Sequence, residues 1–130
     1  MCILYVEDDP LLRRQVYHEL TKHNYDVIVA CDGAEACRLL DSYQSSVDML
    51  ITDVNLGGDV DGWTLAEYAR NVLPGVAVIY ATGSKVSRAL VVENSVAVFK
   101  PFTPNSLNEA IAESARLRRA TENMTTSEDQ

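Results

Sequence analysis

No stretch of this chain is apolar enough to cross a bilayer as a helix. Its longest uninterrupted hydrophobic run, Val76 to Ala81, falls far short of the roughly 18 residues required. Met1 leads straight into a short apolar run without a basic, hydrophobic export signal. The cytoplasm is therefore the expected compartment, with no membrane partner. Cysteine is scarce as well. Cys2, Cys31 and Cys37 are odd in number and lack the close pairs of a zinc site, which argues against structural disulfides and structural zinc. All three are expected to serve as small buried hydrophobes. Basic residues are outnumbered: 11 Lys and Arg face 19 Asp and Glu, for a formal net charge of -8. A polyanion is held by clustered cations, so direct DNA binding is not expected. Arg116, Arg118 and Arg119 form one small basic cluster, which reads as the complement to a helix C-terminus.

What remains is a chain of 130 residues with 47% hydrophobic content, sized for one domain with a real core. Strand-like runs alternate with helical patterns from end to end, and no internal repeat is visible. Ile3-Leu4-Tyr5-Val6, Asp26 to Ala30, Met49-Leu50-Ile51-Thr52, Val76 to Ala81 and Val96-Ala97-Val98-Phe99 read as five strands. Between them lie helical segments. Asp9-Pro10 supplies a cap and a first-turn proline, and Leu12, Val16 and Leu20 then recur every fourth residue. Asp32 with Glu35 resembles a capping box. Asp61-Gly62 opens a helix that Pro74-Gly75 stops, and Thr103-Pro104 opens a last helix reaching about Arg119. Lys85 to Asn94 is short for a full fourth helix, so a short or irregular one is expected. The resulting fold class is α/β: a doubly wound, five-stranded parallel sheet with helices on both faces. Residues 1–119 form the expected domain. Residues 120–130, rich in Thr, Ser, Asn and acid, read as a disordered tail. If the polypeptide is complete, it has no separate output domain.

Charges fall at the ends of these runs: Glu7-Asp8 after the first, Asp53 after the third, Lys100 after the fifth. In a parallel sheet those ends share one edge, where ligands bind. Carboxylates gathered there repel one another, and a hard divalent cation with oxygen ligands relieves that repulsion while leaving positions open for phosphate oxygens. Asp8 and Asp53 are the proposed direct ligands of Mg2+, or Mn2+ in its place. Glu7 would act directly or through water, and a backbone carbonyl beyond Asp53, that of Asn55, would complete the set. Lys100 could pair with a carboxylate or with a phosphoryl oxygen. Thr82 offers a hydroxyl and Gly83 an approachable amide at the end of the fourth strand. Each residue alone has an ordinary explanation: helix-dipole acid, turn-forming threonine, surface lysine. Their joint occurrence at successive strand ends does not.

Tyr5-Val6-Glu7-Asp8-Asp9-Pro10, Ile51-Thr52-Asp53-Val54-Asn55-Leu56, Asp61-Gly62, Ala81-Thr82-Gly83 and Lys100-Pro101-Phe102 stand in an order that resembles the receiver domain of two-component response regulators. The resemblance runs from about Cys2 to Arg119. It implies a flavodoxin-like sheet of order 2-1-3-4-5 and a cis Lys100-Pro101 bond. It implies that Asp53 is the phosphoacceptor, served by a sensor histidine kinase or a histidine phosphotransfer protein. Mg2+ held by Glu7, Asp8 and Asp53, together with Lys100, Thr82 and the Gly83 amide, would stabilise the transferring group. On that view the chain is not an enzyme towards external substrates; it phosphorylates and dephosphorylates itself and switches the binding of a downstream protein target. A monomer or a phosphorylation-linked dimer is implied.

The sequence also departs from the family. Ala97 stands where a switching Tyr or Phe is usual, with Tyr80 and Phe99 nearby, and the segment after Thr82 is short, as in receivers attached to hybrid kinases and in free receivers of α-proteobacteria. Gly57-Gly58 replaces a common Met-Pro pair, which suggests a freer loop. His18-Glu19 matches only the first two residues of a kinase phosphoacceptor box and reads as an exposed helix pair. Trp63 is expected at a core edge beside the Asp61-Gly62 loop. Rival readings are a degenerate receiver that binds a partner without phosphorylation, a metal-dependent phosphohydrolase, and a flavodoxin-like cofactor binder sharing the topology.

Overall fold

Three of the five strands carry apolar residues on both faces, and the topology places them in the middle. In a computed structural model, residues 1–44, 46–83 and 90–128 are described, the last eight by backbone alone. The elements are β1 (Cys2–Val6), α1 (Pro10–Lys22), β2 (Asp26–Ala30), α2 (Gly33–Ser42), β3 (Met49–Asp53), α3 (Gly62–Val72), β4 (Ala77–Thr82), β5 (Ser95–Phe99) and α4 (Pro104–Glu128). The sheet is parallel throughout, in the order β2-β1-β3-β4-β5. β1, β3 and β4 are buried almost end to end, whereas β2 and β5 stay largely half-buried or exposed, as sheet edges do.

Side chains alternate across each strand, so each inner strand feeds two cores. Leu4, Val6, Leu50, Val78 and Tyr80 face Leu40 of α2 and Leu65 and Ala69 of α3. Ile3, Tyr5, Ile51 and Ile79 face Val16 and Leu20 of α1 and Leu107 and Ile111 of α4. The helix starts follow the sequence closely. Asp9 accepts hydrogen bonds from the amides of Leu11 (3.0 Å) and Leu12 (3.3 Å), Asp32 from Glu35 (2.7 Å), and Asp61 from Thr64 (2.8 Å). Glu35 reaches back to the Cys31 amide at 3.0 Å, one residue earlier than a strict capping box.

Three expectations need correction or placement. The last helix runs to Glu128, so 120–128 is helical and not a structureless tail. No Gly or Pro interrupts it after Pro104, and extending an existing helix costs far less than starting one. Cys31 is exposed because it follows the edge strand β2, and Cys2, at the amino end of β1, and Cys37, on α2, are only half-buried. The short or irregular helix expected between Lys85 and Asn94 falls largely on residues 84–89, outside the described residues; 90–94 is a turn. Among the described residues there are four helices.

Candidate functional site

β1 and β3 are neighbours, and each continues from buried apolar residues into acid at its carboxyl end. Glu7 lies just past β1, fixed by a hydrogen bond from its amide to the Ala30 carbonyl (3.1 Å). Asp53 closes β3, with Asp8 beside both. Carboxylate oxygens of Glu7, Asp8 and Asp53 all lie within 4.8 Å of one another. Glu7 is 1% exposed and Asp53 8%, while Asp8 faces solvent. The cup therefore has a dry floor and a wet rim. Asp9 points away and is committed to capping α1.

Lys100 closes the cup from the far edge of the sheet. Its amide donates to the Thr82 carbonyl at 2.8 Å, which continues the β4–β5 pairing by one residue. Its ammonium donates to Glu7 Oε1 at 2.6 Å and to Asp53 Oδ2 at 3.0 Å. The Lys100-Pro101 bond is cis. The other Asp53 oxygen, Oδ1, accepts from the Asn55 amide at 3.1 Å. Thr82 is fully buried at the end of β4, and Gly83 follows it in the open.

Electrostatics explain why this arrangement is poised. Three carboxylates at such distances repel by on the order of 3 kcal/mol per pair at an effective dielectric of about 20. A single ammonium leaves negative charge over. Burial pushes the Glu7 carboxyl above its usual range, and the hydrogen bonds from Lys100 and the Asp9 amide offset that only in part. Burial alone would lower Lys100, but its contacts with Glu7 and Asp53 outweigh it and hold the ammonium above its ordinary value. An all-oxygen, surplus-anionic donor set of this size suits a small hard cation, so these residues fit Mg2+ or Mn2+.

The loop above the cup is shaped by one close approach. A Cβ on Gly62 would sit 2.2 Å from the Asp53 carbonyl oxygen and 2.7 Å from Val54 Cα, so α3 begins in direct backbone contact with the acid-bearing strand. The Gly62 amide donates to the Val54 carbonyl at 2.9 Å. Gly58 adopts φ 91°, a region open to glycine at little cost, and Val60 packs against Gly33. The loop expected to be freer is thus fastened at its far end.

Comparison with known proteins decides the family. The family model described as the response regulator receiver domain matches residues 3–112. This chain belongs to that family. It is 34% identical over 113 residues to the transcriptional regulatory protein GlrR of Escherichia coli K12, covering 84% of this chain and 25% of that protein. It is 30% identical over 125 residues to the sensor histidine kinase RcsC of Salmonella typhi, covering 93% of this chain and 13% of the kinase. The receiver therefore spans a quarter or less of these two relatives. A response regulator receiver protein from Sinorhizobium medicae WSM419 superimposes with TM-score 0.82 at 28% identity, covering 92% of this chain and 95% of that one.

Within this receiver, the structure brings Glu7, Asp8, Asp53 and Lys100 together, with Thr82 ending the neighbouring strand β4 and Gly83 just past it. Asn55 contributes its amide to Asp53. His18 is exposed on α1, as expected of a plain helix residue. Arg13 was not foreseen. Its guanidinium donates to the Glu7 carbonyl at 2.9 Å and steadies the turn carrying the acids, but only its position one turn into α1 could have hinted at that.

Proposed function

We propose that this receiver is a phosphorylation-controlled binding module in which Asp53 takes a phosphoryl group from a phosphohistidine on a sensor histidine kinase or phosphotransfer protein. The observation that carries the reading is the ammonium of Lys100 bridging Glu7 and Asp53 inside a three-carboxylate cup. An Asp53 oxygen attacks phosphorus, forming the acyl P–O bond as the P–N bond to histidine breaks; the departing imidazole keeps the electron pair and takes a proton. Bound to Glu7, Asp8, Asp53 and the Asn55 carbonyl, Mg2+ would neutralise charge on the phosphoryl oxygens. Lys100 lies 3.0 Å from an Asp53 oxygen and is placed to follow those oxygens, and the Gly83 amide and Thr82 hydroxyl supply further donors. Attack by water on phosphorus later breaks the P–O bond to Asp53, releasing inorganic phosphate and regenerating the carboxylate.

On this reading the chain turns over no external substrate, works in the cytoplasm, and passes its state to a downstream protein or back along a relay. The regulatory and kinase activities named for its longer relatives are theirs. Incubation with acetyl phosphate and Mg2+, followed by a phosphate-affinity gel, is the direct test. The wild-type protein is expected to shift. Asp53→Ala is expected to lose the shift entirely, as is the wild type in EDTA. A shift that survives in Asp53→Ala refutes the assignment, and a wild type inert to acetyl phosphate, phosphoramidate and kinases favours a receiver that binds without phosphorylation.

A further inference from the structure

Position 97 offers no side chain to relay a change at Asp53: Ala97 is exposed on the edge strand, and Phe99, 57% exposed, faces solvent. Tyr80 is its register partner on β4, and it is fully buried. Its ring lies 4.9 Å from that of Trp63, centroid to centroid, at 47°. Trp63 follows Gly62, whose backbone rests on Asp53. At its other end, the Tyr80 hydroxyl accepts a hydrogen bond from the Val92 amide at 3.1 Å. The Val92 carbonyl in turn accepts from Ser95 Oγ at 2.7 Å, where β5 begins. Arg70 donates to the carbonyls of Val76 (2.7 Å) and Glu93 (2.6 Å) and ties the same turn to α3.

Resting on the Asp53 reading above, we propose that Tyr80 is the internal relay of this receiver: its hydroxyl latches the 90–94 turn to β4, and phosphorylation of Asp53 releases that latch. Two connections meet at Tyr80. One is the contact path Asp53, Gly62, Trp63, Tyr80. The other is strand geometry, because Tyr80 and Thr82 sit two residues apart and point to the same side of the sheet. A Thr82 hydroxyl drawn to a new phosphoryl group pulls β4 from one end, and Val92 is held at the other. The element with two arrangements is the turn, and the surface that changes is the start of the solvent-facing edge strand.

Amide exchange and 1H–15N spectra of Val92 test this, with beryllium fluoride plus Mg2+ as the phosphoryl mimic. In the wild type, the mimic is expected to move the Val92 resonance and to speed its exchange by on the order of tenfold, the loss of about one hydrogen bond. Tyr80→Phe keeps the ring and removes only the hydroxyl. Its Val92 amide is expected to exchange fast beforehand and to change by less than about twofold when the mimic is added. A purely structural Tyr80 would leave the mimic's effect on Val92 intact in Tyr80→Phe, and that result overturns the relay. So does a wild type that takes up the mimic with Val92 unmoved, a measurement needing no variant. A wild type that neither takes up the mimic nor shifts on the gel overturns the Asp53 reading, and the relay with it.

Discussion

The two ends of the sheet each carry an ion pair between residues far apart in sequence, and the pairs are built differently. At the carboxyl end, Lys100 meets Glu7 and Asp53, whose side chains are 2% and 11% exposed, and acid remains in excess. At the amino end, Arg118 of α4 meets Asp48 at 3.1 Å with both side chains about a third exposed, at 30% and 32%. There the account is balanced. Asp48 Oδ2 accepts from the Cys2 amide at 2.8 Å, and Arg118 Nε donates to the Gly75 carbonyl at 3.0 Å. The balanced pair ties α4 to the starts of β1, β3 and β4. The unbalanced one is held together by the fold against its own repulsion, and it is the one on which the proposed metal binding and phosphoryl transfer rest.

Replacing Lys100 should separate the two ends most sharply. Lys100→Met leaves two poorly hydrated carboxylates without their cation and is expected to cost about 2 kcal/mol near pH 8, less than a fully buried pair because the lysine is partly exposed. The pH dependence follows from Glu7. Its folded-state value lies above the ordinary 4.5, so the native state binds more protons across that interval, and stability falls as pH rises through it. Without Lys100 the interval widens. The deficit should therefore shrink as pH falls through that interval; urea unfolding at pH 8 and at a pH below 4.5 giving equal deficits would count against an unbalanced cup.

A smaller effect of opposite sign is expected from Asp8→Asn. It removes one repelling charge and should raise the metal-free melting temperature by about 3 °C, while abolishing the further rise expected of the wild type in Mg2+. A lower melting temperature would mean that Asp8 stabilises the fold. The smallest change belongs to the other end of the sheet: Arg118→Met is expected to cost about 0.5 kcal/mol, with no dependence on Mg2+. A Mg2+-dependent loss there would erase the distinction between the two ends.

Much of this was legible in the sequence because it is local. Strand runs ending in charge, Asp9 before Pro10, and Asp61 before Gly62 announce their roles within a few residues. The cup followed from topology, since parallel strands of order 2-1-3-4-5 bring their carboxyl ends to one edge. Partners set by tertiary packing left no such trace. Nothing near Arg118 marks Asp48, 70 residues away, and nothing near Tyr80 marks Val92. The end of α4 was misplaced for a different reason: the absence of an apolar stripe signals lack of burial, and a helix already nucleated can continue without it. Cys31 was misjudged because residue type does not say whether a strand lies at the margin.

The missing methyl group at position 62 has a consequence for variation in this protein. A Cβ there would meet the neighbouring carbonyl oxygen at 2.2 Å, so no replacement fits unless α3 lifts off it. The distance between that helix and the acid-bearing strand is thus set by a hydrogen atom, and even alanine would act as a wedge, carrying the indole next door with it. A substitution that adds no charge would then disturb the acid cup through steric displacement alone.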